Sequence, residues 1–211
     1  MVLSHVLSGI LGYLIGSIPT AFLLVRWKSN VDIRNAGSGN VGALNSLQVT
    51  KSKVVGIGVL LLDLLKGIGV VVLASMMLGE QFSIQATAGV AAVVGHNFPV
   101  WLKFKGGRGL ATAAGIMLVL AWAVFLMWVV FWFLGFVLTK HVNVGNTIAS
   151  AATLLGIVVV PSGVLTLFIA PSIMPVEFKL FALPLFIVIL SRHIDPVREY
   201  LGKSRVTSDD H

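Results

Sequence analysis

Residues 34–45 read RNAGSGNVGALN and hold the spacing Gly37-x-Gly39-x-x-Gly42. Glycines so placed let successive backbone N–H groups converge on an anion without side-chain obstruction. Ser38, Asn40 and Asn45 add neutral hydrogen-bonding groups, and Arg34 adds a fixed charge. A dinucleotide-binding loop has the same spacing. That loop follows a strand, opens a helix and is followed ~20 residues later by an acidic residue. Here the glycines follow a long apolar run and a polar connector, and Asp63 lies inside another apolar run. The Rossmann reading is rejected. Taken alone, the glycines suit a phosphate cradle and close helix packing equally well.

A second stretch shifts that balance. Residues 95–112, GHNFPVWLKFKGGRGLAT, place Lys103, Lys105 and Arg108 around Gly106, Gly107 and Gly109. An apolar helix begins at once, so its first N–H groups are available to an anion. The G-x-x-x-x-G-K-[S/T] pattern of a Walker loop is absent. Two glycine-rich cationic loops suggest a site for one or two phosphates. A purely topological role for the cations leaves the glycines unexplained.

The elements that must hold these loops follow from composition. Of 211 residues, 57% are hydrophobic and 11% charged, against roughly 25% charged in soluble domains. The mean hydropathy is +0.98. A soluble core of this size cannot hide so much apolar surface, so the class expected is an all-α polytopic membrane protein. The lack of cysteine excludes disulfides, zinc-thiolate sites, iron–sulfur clusters and thiol nucleophiles. A net charge of +7 with a pI of 10.1 would suggest nucleic acid in a soluble chain. Here the basic residues occupy short loops, where membrane topology and anionic ligands account for them without a nucleic-acid partner. The first apolar run lacks a basic leader and a clear cleavage site, so it reads as a retained helix.

A bilayer crossing takes ~20 apolar residues. The runs 3–25, 54–78, 84–102 and 147–170 qualify, and 177–191 is shorter but apolar. The stretch 109–139 is too long for one span and divides near Ala121–Ala123. Seven helices are expected, as one transmembrane domain over 1–195 with a short tail over 196–211. If they alternate, thirteen of the fifteen Lys and Arg fall on one side, Lys66 and Lys179 excepted. The positive-inside rule makes that side cytoplasmic, with the N-terminus outside and the tail inside. Both glycine loops then lie in the cytoplasm.

Within the runs, Asp63 and Lys66 share a helix face at i, i+3 and are close enough to pair. A charge inside a span is a functional candidate by default. A self-satisfied structural pair is the favoured reading, and a proton or ion path the alternative. His96, beside Asn97 and Pro99, reads as a packing or hydrogen-bonding group before a catalyst. His193, after Arg192 on the cytoplasmic side, is a better base candidate, with interfacial anchoring its alternative.

These motifs together resemble the bacterial membrane acyltransferases that use acyl phosphate to acylate glycerol-3-phosphate. The resemblance runs in order through DIRNAGSGNVGALN, LLDLLKG, GHNFPVWLKFKGGRGLAT, KHVNVGN and RHIDPVREYLGK, nearly the whole chain. It implies a seven-helix protein of the bacterial inner membrane with an outside N-terminus. It also implies acyl transfer to the sn-1 hydroxyl of glycerol-3-phosphate, giving lysophosphatidic acid and phosphate. No CoA thioester or organic cofactor is expected, and no metal. The partners implied are acyl phosphate, glycerol-3-phosphate and the lipid bilayer.

The resemblance also assigns roles. Arg34, Gly37, Ser38, Gly39 and Asn40 would form one phosphate cradle. Lys105, Gly106, Gly107 and Arg108 would form a second anion clamp. Ser38, Asn45 and His193 are the catalytic candidates, with Asn45 orienting substrate and His193 bonding the attacking hydroxyl or a phosphate. Asn146 joins the substrate contacts. The sequence departs from the family's usual residues at Leu44 (Thr), Gln48 (Arg), Arg108 (Lys), Asn143 and Asn146 (Ser) and Pro196 (Asn). A paralogue with another acceptor or without turnover, and a transporter of a phosphorylated metabolite, are the competing readings.

Overall fold

The computed structural model describes residues 2–208, with side chains through residue 202. Among the described residues every regular element is helical, as the composition required. The elements are α1 (Val2–Gly16), α2 (Thr20–Ser29), α3 (Ala43–Thr50), α4 (Lys53–Leu78), α5 (Phe82–Asn97), α6 (Leu110–Leu120), α7 (Trp122–Thr139), α8 (Val142–Val159), α9 (Ser162–Leu165), α10 (Pro175–Ser191) and α11 (Ile194–Ser208). Two short 3-10 turns, Ile33–Asn35 and Val100–Leu102, lie in the glycine-rich loops. The chain forms two compact units, Met1–Leu120 and Ala121–His211. Their boundary is the point where the 109–139 run divides.

In the first unit, α4 shows the solvent for which the fold is built. Asp63 and Lys66 are 2% and 8% exposed, whereas Leu61, Leu65 and Met76 are 51%, 56% and 78% exposed. A helix that turns its charges inward and its leucines outward belongs in hydrocarbon. Small residues let the helices touch. A methyl group at Gly12 or Gly16 of α1 would overlap the backbone of Ala88 or Ala92 on α5, and one at Gly67 of α4 would overlap Thr112 on α6. Close backbone approach of this kind replaces the hydrophobic drive that lipid removes.

In the second unit α7 packs on α8. Trp128 Nε1 donates to Ser150 Oγ at 3.1 Å. The rest of α7 is outward and apolar, with Trp122, Phe133 and Leu138 exposed, consistent with a lipid-facing aromatic stripe. α10 begins on Pro175, where a missing N–H costs nothing. From α10, Lys179 Nζ donates to Val158 O at 3.0 Å and to Val160 O at 2.8 Å, closing the end of α8.

Each expected apolar run contains a helix, but several boundaries move. The run 3–25 is interrupted at Ser17–Pro19, because Pro19 has no N–H to continue the ladder. The run 84–102 stops at Asn97, two residues before Pro99. The run 147–170 starts at Val142 and ends at Val159, before Pro161. The tail from 196 continues as helix α11 to Ser208, with residues 209–211 outside the described range.

Four segments have the length and apolarity to cross a bilayer: Val2–Ser29 with its break, α4, α7 and α8. The pair α10 and α11, bent by 45°, adds a fifth only when counted as one broken span. The 16 residues of α5 and 11 of α6 reach about 24 and 17 Å at 1.5 Å per residue, short of the ~30 Å hydrocarbon core. The expected count of seven crossings therefore goes beyond what helix length establishes.

Candidate active site

The first glycine loop is organised from within. Asn45, on the first turn of α3, is buried. Its Oδ1 accepts the Ser38 N–H at 3.0 Å. Its Nδ2 donates to Asn40 O at 2.9 Å and Ala36 O at 3.1 Å. Gly37 adopts φ +58° directly over this amide, and a side chain there would overlap Asn45 Oδ1. Both ends of the Asn45 amide are thus engaged by the loop. The side chain expected to orient substrate shapes the turn that presents Ser38.

Arg34 is similarly engaged. Its Nε donates to Asp32 Oδ1 at 3.0 Å, Nη2 to Asp32 Oδ2 at 2.6 Å and Nη1 to Leu102 O at 3.4 Å. Its guanidinium also stands 5.3 Å from the centre of the Phe22 ring. The side-chain hydrogen bonds from Arg34 hold the Asp32 carboxyl down to about 2 against partial burial, and Asp32 in turn raises the Arg34 pKa. The expected phosphate ligand is also a tie between loops, because Leu102 belongs to the second one. Beneath that tie Ile33, Val41 and Leu102 share a buried cluster with Ala21, Val25, Val55 and Val59.

The second loop turns back on the end of α5. Gly106 N donates to Asn97 O at 3.2 Å, and Gly107 N to His96 O at 3.0 Å. These amides, expected to face an anion, bond the carbonyls that α5 leaves open at its C-terminus. Glycine is required here for space. A Cβ at Gly106 would overlap His96 O and Pro99, and one at Gly107 would overlap the His96 ring and lie 2.7 Å from Val41 O. The Gly107 contacts bring the two loops together. Lys103 and Lys105 are exposed and Arg108 is half-buried, so the cationic character faces outward.

Below the loops lies a buried polar cluster. The expected pair is present, with Lys66 Nζ 3.0 Å from Asp63 Oδ1. The break after α1 adds two groups. Ile18 O accepts from Lys66 Nζ at 3.0 Å, and Thr20 Oγ1 donates to Asp63 Oδ1. From α5, His96 Nδ1 lies 3.4 Å from Lys66 Nζ and 3.6 Å from Asp63 Oδ1. Sequence spacing linked only the two residues on α4. Pro19 was the legible signal that a backbone carbonyl would be freed nearby.

Two expected site residues belong to the second unit. Asn146 is buried on α8. His193 follows α10 and is fully buried. Its Nδ1 lies 2.8 Å from Ile189 O. A carbonyl only accepts, so Nδ1 carries a proton, and in the neutral ring Nε2 bears the lone pair. Full burial does not suit an interfacial anchor. Pro196 falls in the first turn of α11, where proline is tolerated.

Apolar helices with inward charges, joined by two interlocked glycine-rich cationic loops, make a multi-pass membrane protein. A family model described as glycerol-3-phosphate acyltransferase matches residues 6–203, and the chain belongs to that family. The glycerol-3-phosphate acyltransferase of Thermotoga petrophila is 43% identical over 140 residues, 66% of this chain and 70% of that protein. That of Myxococcus xanthus is 52% identical over 111 residues, 53% of this chain and 57% of that protein. Among crystal structures the chain is similar to PlsY (YgiH), an integral membrane glycerol 3-phosphate acyltransferase, in its glycerol 3-phosphate form. The TM-score is 0.79 at 30% identity, covering 95% of this chain and 93% of that one. The lysophosphatidic acid form of PlsY gives 0.78. Membership agrees with the resemblance drawn from the five motifs.

Proposed function

We propose that this protein transfers an acyl group from acyl phosphate to the sn-1 hydroxyl of glycerol-3-phosphate, releasing lysophosphatidic acid and phosphate. The observation that carries the reading is the interlock of two glycine-rich loops in a family member, with Lys103, Lys105 and Arg108 on the second. Each substrate phosphate brings about −1.5 to −2 charges at neutral pH, which such loops are suited to receive.

In this reading the hydroxyl oxygen attacks the acyl carbon. The new ester C–O bond forms, the bond between the acyl carbon and the bridging oxygen breaks, and phosphate leaves with that oxygen and the electron pair. The hydroxyl proton ends on a phosphate oxygen or on His193. Because the donor is already activated, positioning and charge stabilisation supply most of the rate. Ser38, Gly39 and Asn40 cradle one phosphate, and Lys105 and Arg108 clamp the other. Arg34, Asn45, Gly37, Gly106 and Gly107 hold the loops in shape. His193 and Asn146 keep the substrate contacts that the resemblance assigns. Residues 1–195 act as one seven-span domain of the bacterial inner membrane, N-terminus outside, with a cytoplasmic tail from 196.

The test uses purified protein in detergent with palmitoyl phosphate and glycerol-3-phosphate, following phosphate and lysophosphatidic acid together. Equal formation of both products supports the reading. Phosphate without the lipid points to another acceptor, a reading that Gln48 in place of the usual Arg favours. Neither product, where an active family member works, overturns it.

A further inference from the structure

The buried cluster does more than satisfy its own charges. An ammonium has three N–H donors and no acceptor. Lys66 Nζ meets three acceptors, Asp63 Oδ1 and Ile18 O at 3.0 Å and His96 Nδ1 at 3.4 Å. Nδ1 therefore offers its lone pair to Lys66, and the neutral ring carries its proton on Nε2. The Asp63 oxygen lies farther from Nδ1, at 3.6 Å.

The protonated nitrogen points toward the second loop. Nε2 stands against Gly107, where any side chain would overlap it. Among the described residues Nε2 has no hydrogen-bond partner. The ring lines a small pocket with Thr20, Val41, Pro99 and Leu102, walls drawn from both loops and from the break after α1. Ser17 lines the same pocket, and its buried Oγ likewise lacks a partner among the described residues. A buried hydroxyl left unmatched costs stability, and the Ser17 hydroxyl together with the His96 ring gives this pocket a polar lining. Non-helical backbone inside a membrane protein is tolerated where it lines such a cavity.

We propose that His96 is a further substrate-binding residue, its Nε2–H donating to an oxygen of a phosphorylated substrate held at the Gly106–Arg108 turn, with Lys66 fixing the tautomer. This rests on the acyltransfer reading. The oxygen belongs either to glycerol-3-phosphate or to acyl phosphate, and Gly107 is bare so that it reaches the ring.

Two amide replacements separate ligand binding from structural support. The Asn side chain places its amide near Nδ1, and the Gln side chain places its own near Nε2. His96→Gln keeps a donor toward the pocket, and His96→Asn keeps only the partner of Lys66. KM for each substrate, kcat and melting temperature are measured for both variants in detergent. The expected result is a KM within a few-fold of wild type for His96→Gln and raised roughly tenfold or more for His96→Asn, without matching losses in melting temperature. The substrate whose KM moves identifies the oxygen. The reverse order, or equal losses tracking melting temperature, overturns the proposal.

If the wild type makes no product, the acyltransfer reading fails by itself. His96 is then tested by calorimetric binding of glycerol-3-phosphate and palmitoyl phosphate to the same three proteins. The same contrast in affinity supports the contact, and its absence overturns it. Selective 15N-histidine labelling of the wild type needs no folded variant. A ring protonated at Nε2 whose signal shifts on adding either substrate is expected. A ring protonated at Nδ1, or one indifferent to both substrates, overturns the assignment.

Discussion

The backbone N–H of Ser38 donates to Oδ1 of Asn45 at 3.0 Å. A residue of the helix that follows the loop thereby sets the direction of the serine at its tip. The same amide ties down the carbonyls of Ala36 and Asn40. One buried side chain thus joins three points of the loop and fixes the turn around Ser38.

Replacing that brace should uncouple the loop. Asn45→Ala leaves the Ser38 N–H without its acceptor, at ~1–3 kcal/mol for a buried group not reached by water, and leaves Ala36 O and Asn40 O with only the N–H groups of Gly39 and Gly42. Asn45→Asp keeps an acceptor for Ser38 and turns a carboxylate oxygen toward the two carbonyls. Both variants should lose at least about tenfold in kcat/KM for glycerol-3-phosphate and melt lower than wild type. Wild-type kinetics and melting in Asn45→Ala would show that the loop is braced elsewhere.

Gly107→Ala should be far worse than an equivalent change in open space. Its methyl group would overlap the His96 ring and crowd Val41 O, whereas one at Gly156 of α8 meets nothing within 4 Å. Overpacking costs ~1–3 kcal/mol. Gly156→Ala should be neutral or gain up to ~1 kcal/mol from helix propensity. Melting curves and activity of the two variants, taken side by side, decide the matter. Equal behaviour contradicts the packing read at Gly107.

The Asp63–Lys66 pair should be coupled. Removing one partner leaves a buried charge at ~3–5 kcal/mol, and removing both with apolar residues of similar size is far less costly. Asp63→Leu and Lys66→Met should each abolish stable purification or lower the melting temperature steeply. The double variant should recover a large part of the loss. Additive losses in the double-mutant cycle would mean that the two residues act on separate partners.

Asp32 gives a pH dependence with a defined sign. Its carboxyl is held near 2 in the folded protein against an ordinary value of 3.8, chiefly by hydrogen bonds from Arg34. A depressed pKa means the unfolded chain binds the proton first, so the contribution is complete above 3.8 and is lost as pH falls toward 2. The melting gap between wild type and Asp32→Asn should hold constant from neutral pH to about pH 5 and close through that acidic window. A gap independent of pH would show that the Asp32–Arg34 bond contributes through its shape alone.

Much of this protein is legible along the chain. Apolar runs that alternate with short basic loops specify an all-helical membrane protein, because hydrocarbon admits only segments that satisfy their own backbone. The two glycine motifs located the loops, and i, i+3 spacing placed Asp63 beside Lys66. Those signals are local, since each depends on periodicity or on neighbours within a turn. The remaining features depend on distant segments meeting. Nothing near Asn45 in the chain announced that its amide would bond the Ser38 N–H and the carbonyls of Ala36 and Asn40. Nor did the spacing of Gly106 and Gly107 announce that their N–H groups would bond the end of α5. His96 read as a packing or hydrogen-bonding group, and only the fold brought Nδ1 to Lys66 and Nε2 against Gly107. Hydrogen bonds are directional and short-ranged, so the partner of a polar side chain, unlike its burial in a helix, is decided only by tertiary structure.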